Sequence, residues 1–162
     1  MFALAAPAAA QNRNKPGNDA DDKPLFGVGL SFLHDTGATA TGIAADIRLP
    51  DFNKSDNFGL GIVGDVGFNH FSGATVLSIG GGVRATFKPM NQKLRPFIQV
   101  LIGIEHCCGE TDLYFSPGGG VDFAINPNLN IRAQIDFRHV NGPIGFNETR
   151  FWFGVSLPLG GS

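Results

Sequence analysis

Charge is scarce in this chain: Asp, Glu, Lys and Arg make up 16% of its 162 residues, against roughly 25% in a soluble domain. The formal net charge of −2 speaks against nucleic acid or any other strongly charged partner, and no basic patch with interleaved aromatics is present. Long apolar runs are also missing. None approaches the roughly 18 consecutive apolar residues that a membrane helix needs. Cysteine is limited to the adjacent pair Cys107 and Cys108, so no zinc motif of separated ligand pairs exists.

What the chain has instead is alternation. In residues 149 to 159, Phe151, Phe153, Val155, Leu157 and Leu159 fall on one face, with Arg150, Trp152, Gly154, Ser156 and Pro158 on the other. A period of two is that of a strand with two different environments. The rhythm returns at ten to twenty residue spacing, broken by turn-forming Gly, Pro, Asn and Asp, and predicts an all-β meander. Eight strands are expected, over 25–33, 40–49, 57–70, 75–88, 96–106, 112–126, 129–139 and 149–159. An even number puts both termini at one end. Pro117 predicts a bulge, because a closed barrel has no edge to accommodate a missing donor.

Three segments follow from composition. Residues 1–10 are small and apolar and end in Ala8, Ala9 and Ala10, which reads as the end of a secretory signal with its cleavage site. Residues 11–24 are polar, with Pro, Gly and Asn, and read as a solvated arm. Residues 25–160 form one barrel domain.

The direction in which the apolar face points decides the class. An eight-stranded barrel is only just wide enough inside for side chains to fill, and more than two dozen bulky residues, from Phe26 and Val28 to Ile135 and Phe137, share the apolar phase. The opposite phase is rich in glycine, as at Gly27, Gly29, Gly42, Gly59, Gly61, Gly67, Gly80 and Gly82. A soluble surface would carry Lys, Glu and Thr there, whereas a cramped lumen calls for glycine. The apolar face therefore belongs in lipid. Charge phase agrees, since Asp46, Arg48, Asp65, Arg84, Lys88, Glu105, Asp122, Arg132, Asp136, Arg138 and Arg150 all lie on the small-residue face. In lipid each base would cost about 2–4 kcal/mol near the midplane. In a lumen the opposite signs can pair, so a polar plug is expected, with an ion path as the functional alternative.

At this point the chain resembles the small eight-stranded outer-membrane β-barrel family, OmpA-like or OmpX-like, over about residues 25 to 160. The last strand carries the most specific part of the likeness, where Trp152, Gly154, Leu157 and Leu159 match the spacing of the family's assembly signal. Residues Val121 to Arg132 look like its strand, tight periplasmic turn, strand unit. The resemblance implies a monomeric, exported, integral outer-membrane protein of a Gram-negative-type cell, surrounded by outer-membrane lipid and lipopolysaccharide and read by the outer-membrane assembly machinery. No cofactor is implied. Fold alone does not assign activity, so four roles stand: a structural or surface-interaction barrel, a narrow porin-like channel, a lipid A-modifying hydrolase, and a soluble ligand-binding barrel.

Three clusters invite chemistry. His34, His70, His106 and His139, the only histidines, each end a strand at the outer rim and are read as interfacial anchors in an aromatic belt. A metal site is not expected; its only candidates are His106, Cys107 and Cys108, since His and Cys suit zinc or copper. No catalytic residue is expected either. The one suggestion is His70 with Ser72, which at strand spacing share a face and look like the His-x-Ser dyad of outer-membrane lipid A deacylases. Nucleophilic catalysis also wants a group to orient the base, and the following strand offers no acid, leaving Glu105 or Glu110 as substitutes.

Overall fold

Alternation of bulky and small residues builds the whole architecture. The computed structural model describes residues 23–91, 93–142 and 145–160; the apolar segment 1–10 and nearly all of the polar arm 11–24 lie outside these residues. The strands are β1 (Leu25–Asp35), β2 (Ala38–Arg48), the two-residue β3 (Asn53–Lys54), β4 (Phe58–Phe71), β5 (Ala74–Phe87), β6 (Leu94–Cys107), β7 (Glu110–Asn126), β8 (Leu129–Asn141) and β9 (Phe146–Pro158). Each long strand pairs antiparallel with the next. β1 also pairs with β9 from Leu25↔Pro158 to His34↔Thr149, closing an up-and-down barrel of eight long strands. β3 is a small addition in the β2 to β4 connection, paired with β4.

Closure leaves no edge to template aggregation and leaves every side chain only two directions. Outward go Ile43, Ile102, Phe137 and Phe153, each 57–60% exposed. Inward go Leu101, Val63, Tyr114 and a set of charged residues, all nearly inaccessible. The buried apolar clusters are small: Val63, Leu101, Tyr114 and Val140 make one, and Leu33, Ala40 and Val76 another. The apolar surface that a soluble protein would hide is therefore on the outside, facing lipid.

The ladders run further than the alternation suggests at the end opposite the termini. β1, β4, β6 and β8 extend to Asp35, Phe71, Cys107 and Asn141, and three of the four hairpins close through two residues. Ser72 and Gly73 have φ of 40° and 88°, and Cys108 and Gly109 have 59° and 88°. Two successive positive φ values mark the primed turn whose twist matches the flanking strands, so Thr75 and Thr111 pair in the ladder instead of looping out; Thr39 also pairs, across a first hairpin whose Thr36 and Gly37 have no positive φ. The bulge expected at Pro117 is not there. β7 keeps one offset against β8 from Phe115↔His139 to Gly118↔Asp136, and the register shifts instead between Ala124 and Asn126, beside the turn. The proline's lost donor leaves a local gap in pairing with β8, not an inserted residue.

Candidate functional site: the charged lumen

Inward-pointing residues of consecutive strands meet across a narrow lumen, so charges distant in sequence become neighbours. Arg132 on β8 spans it: Nε donates to Asp122 Oδ1 at 2.6 Å, and Nη1 donates to Asp46 Oδ2 on β2 at 2.6 Å. Arg84 on β5 also donates to Asp46, and its Nε donates to Gln99 Oε1 at 2.9 Å. Gln99 passes the link on, its Nε2 donating to Asp136 Oδ1 at 2.9 Å. Asp136 accepts from Arg150 Nε at 2.9 Å, and Arg150 Nη1 reaches Asp65 Oδ1 on β4 at 2.7 Å. Nearest the hairpin end, Arg138 Nη1 is held by Glu105 at 3.1 Å and Glu148 at 3.4 Å. The result is one network from Glu148 to Asp122, running through the barrel.

Burial makes the pairing obligatory. Arg84, Arg132, Arg138 and Arg150 are at most 1% exposed, and an unpaired charge in such a place is strongly unfavourable. Aromatic rings complete their surroundings. Phe97 lies 4.4 Å from the Arg84 guanidinium and 5.1 Å from that of Arg132, and Tyr114 lies 4.5 Å from that of Arg138. Glycine makes room for them: a Cβ on Gly103 would come within 2.6 Å of the Tyr114 hydroxyl. At the end that carries the termini the lumen narrows to a small cavity bounded by Arg48, Arg84, Arg95 and Asp122, where Arg48 is paired with Asp51.

Of the charges that the alternation places inside, Asp46, Arg48, Asp65, Arg84, Glu105, Asp122, Arg132, Asp136, Arg138 and Arg150 are buried and Lys88 is exposed. The phase of Lys88 is that of the lumen, but β5 ends at Phe87, so the side chain lies beyond the wall. The network has further members that sign alone does not reveal. Gln99 and Gln134 are neutral, and Gln134 Nε2 donates to Asp136 at 2.8 Å. Glu148 lies two residues before Arg150, hence in the same phase, and is found by extending β9 to Phe146. Asp51 belongs to the connection after β2.

The assembly-signal residues divide by phase: Trp152 is buried and donates to Ala44 O at 3.2 Å, whereas Leu157 and Leu159 face outward. Gly154 lies opposite Gly29 across the closing seam, where a side chain on either would meet the other's backbone. His70 and Ser72 do not form the dyad that strand spacing suggests. Ser72 lies outside β4, in the turn, so the period-two rule no longer aligns it with His70; His70 Nδ1 is hydrogen-bonded to Thr75 Oγ1 at 3.2 Å. Glu105 points into the lumen toward Arg138, and Glu110 ends up opposite Cys107. Among the described residues no three His, Cys, Asp or Glu side chains gather as a metal site. His106 is bonded to Thr111, and the Cys107 and Cys108 sulfurs lie 2.6 Å apart at the hairpin tip.

No family model and no curated protein matches the chain. Solved structures do. The chain is similar to Neisserial surface protein A (14% identity, 84% of this chain and 96% of that one, TM-score 0.60). It is similar to the N-terminal β-barrel domain of Pseudomonas aeruginosa OprF (13% identity, 84% and 97%, TM-score 0.61). A third likeness is to the outer membrane enzyme PagL (14% identity, 84% and 99%, TM-score 0.57). At these identities the likeness is one of fold: a small closed eight-stranded barrel of the outer-membrane kind.

Proposed function

We propose that this chain, an eight-stranded barrel of the outer-membrane kind, is an integral outer-membrane protein with a plugged lumen, acting in envelope structure or surface interaction. The observation that carries the reading is the cross-lumen pairing of fully buried arginines, Arg132 to Asp46 and Arg150 to Asp65. A permeating ion would have to part such pairs, and opening one by removing a partner costs about 3–5 kcal/mol. Two-residue hairpins at the outer end leave little loop surface, which speaks against a large receptor or adhesin. In planar bilayers the native protein is expected to give small or no conductance. Large, stable single-channel steps would overturn the plugged reading in favour of the narrow channel.

The role is non-catalytic. PagL is an enzyme on the same fold, but fold does not carry activity, and here His70 is engaged by Thr75 while Ser72 lies in the turn. Lipid A from cells with and without the protein is expected to give the same mass spectrum. Loss of an acyl chain that disappears in both His70→Ala and Ser72→Ala, with the barrel still assembled, would make these two residues base and nucleophile.

A further inference from the structure

The four histidines occupy one structural position repeated around the barrel. His34, His70 and His106 stand 36 residues apart, and each opens the pattern His-x-x-Gly-x-Thr; His139 opens the fourth hairpin as His-Val-Asn-Gly. Each imidazole is exposed and bonded through Nδ1 to a residue directly across its own hairpin. The bonds are His34 to Thr39 at 3.0 Å, His70 to Thr75 at 3.2 Å, His106 to Thr111 at 2.8 Å and His139 to Asn147 at 2.8 Å. With Nδ1 held by the wall, Nε2 is the nitrogen left to meet a group from outside.

The surroundings specify what that group is. Tryptophan and tyrosine normally form the ring at a membrane interface, but this chain has one of each, and Trp152 and Tyr114 are buried in the lumen. At this rim the amphipathic ring is imidazole. Its neighbours across the other strand are Thr149 for His34, Thr41 for His70, Leu77 for His106 and Phe115 for His139. None is ionisable. The acids of this end, Asp35, Glu105, Glu110, Asp112 and Glu148, are in the inward phase that alternates with the histidines. Lys54, Lys88, Lys93 and Arg95 belong to the opposite end. The lipid-facing outer rim therefore offers imidazole and hydroxyl donors and no competing charge, directly above the apolar belt.

We propose that the His–Thr and His–Asn pairs form a collar that binds the phosphate groups of anionic lipids in the leaflet at this end. Phosphate oxygens accept hydrogen bonds from imidazole N–H and threonine hydroxyl, and a charged donor strengthens such a bond. One basic charge at an anionic membrane surface is worth ~1 kcal/mol, about a fivefold preference. The collar rests on the lipid-facing reading of the belt.

The test uses the refolded protein in phosphatidylcholine vesicles carrying a small fraction of spin-labelled phosphatidylglycerol or spin-labelled phosphatidylcholine. Both lipids carry a phosphodiester, but only phosphatidylglycerol has a net negative charge. The protein is expected to select phosphatidylglycerol next to its surface, with a preference of about fivefold. In the combined variant His34→Gln, His70→Gln, His106→Gln and His139→Gln this preference is expected to vanish. An unchanged preference in the variant, or no preference in the native protein, overturns the collar. Should the variant not reach the barrel form, phosphorus-to-proton magnetisation transfer to the imidazole protons of the native protein decides, its presence supporting the collar and its absence overturning it. Failure of the native protein to insert at all would instead overturn the membrane reading.

Discussion

A buried arginine has a place in this barrel only through its partners. Arg150 is fully buried and joins Asp136 to Asp65 on opposite walls. Replacing it by methionine would leave the Asp136 carboxylate without its buried cation and Asp65 with only Arg138, 3.8 Å away. Arg150→Met is expected to lower stability by about 3–5 kcal/mol, measured as the denaturant midpoint for losing the compact band on unboiled gels. Gln99→Leu, which removes a neutral link between Arg84 and Asp136, is expected to cost about 1–3 kcal/mol. Equal losses would show that Gln99 shares the charge burden of the arginines. The sequence makes the arginine legible and the glutamine invisible, because charge in the wrong phase signals a lumen whereas a lone amide is ordinary on either face. Pairing is illegible for a different reason. Alternation says that Asp46 and Arg132 both point inward, but only the closing of β1 on β9 brings β2 within reach of β8.

Single strands are the part of this fold that sequence alone specifies best, since bulky and small residues alternate strictly wherever one face meets lipid and the other a crowded lumen. Their ends are less legible. Asp35, Thr36, Gly37 and Ala38 read as loop, yet the ladder runs on to Asp35 and resumes at Ala38, because a short hairpin needs only two residues outside it. In two of the three His-x-x-Gly-x-Thr repeats the glycine carries that information, since Gly73 and Gly109 both have φ of 88°, whereas Gly37 has no positive φ. Strand interiors use glycine differently, as space. Gly103→Ala would place a methyl 2.6 Å from the Tyr114 ring and hydroxyl and closer still to the Ile79 carbonyl oxygen, pressing on the wall backbone and forcing the tyrosine ring against Arg138, 4.5 Å away. Overpacking of this kind is expected to cost about 1–3 kcal/mol. Gly73→Ala meets no neighbour, so its loss, expected in the same range, is pure backbone strain. Adding Tyr114→Phe to each variant separates the two mechanisms: by removing the crowded hydroxyl it is expected to recover part of the Gly103→Ala loss and none of the Gly73→Ala loss, both read as denaturant midpoints relative to Tyr114→Phe alone.

At the scale of the whole molecule the usual arrangement is inverted, with an apolar exterior and a charged interior, and this inversion is what the sequence states most openly. Contacts between strands are less legible than location: in the lumen, pairing depends on closure, and at the rim four hairpins that are far apart in sequence present the same side chains. The inversion also sets how the protein must behave outside a bilayer. With Ile43, Ile102, Phe137 and Phe153 each more than half exposed, the folded chain stays dispersed only in lipid or detergent. A closed ladder has no frayed edge where detergent can begin to unpair it, so the barrel resists detergent until heat melts all strands together. The protein is therefore expected in the outer-membrane fraction, and to migrate as a compact band before boiling and as a slower, fully unfolded band after it. Recovery in the soluble periplasm without detergent would require this apolar belt to be covered by something other than lipid, and would return the chain to the class of soluble ligand-binding barrels.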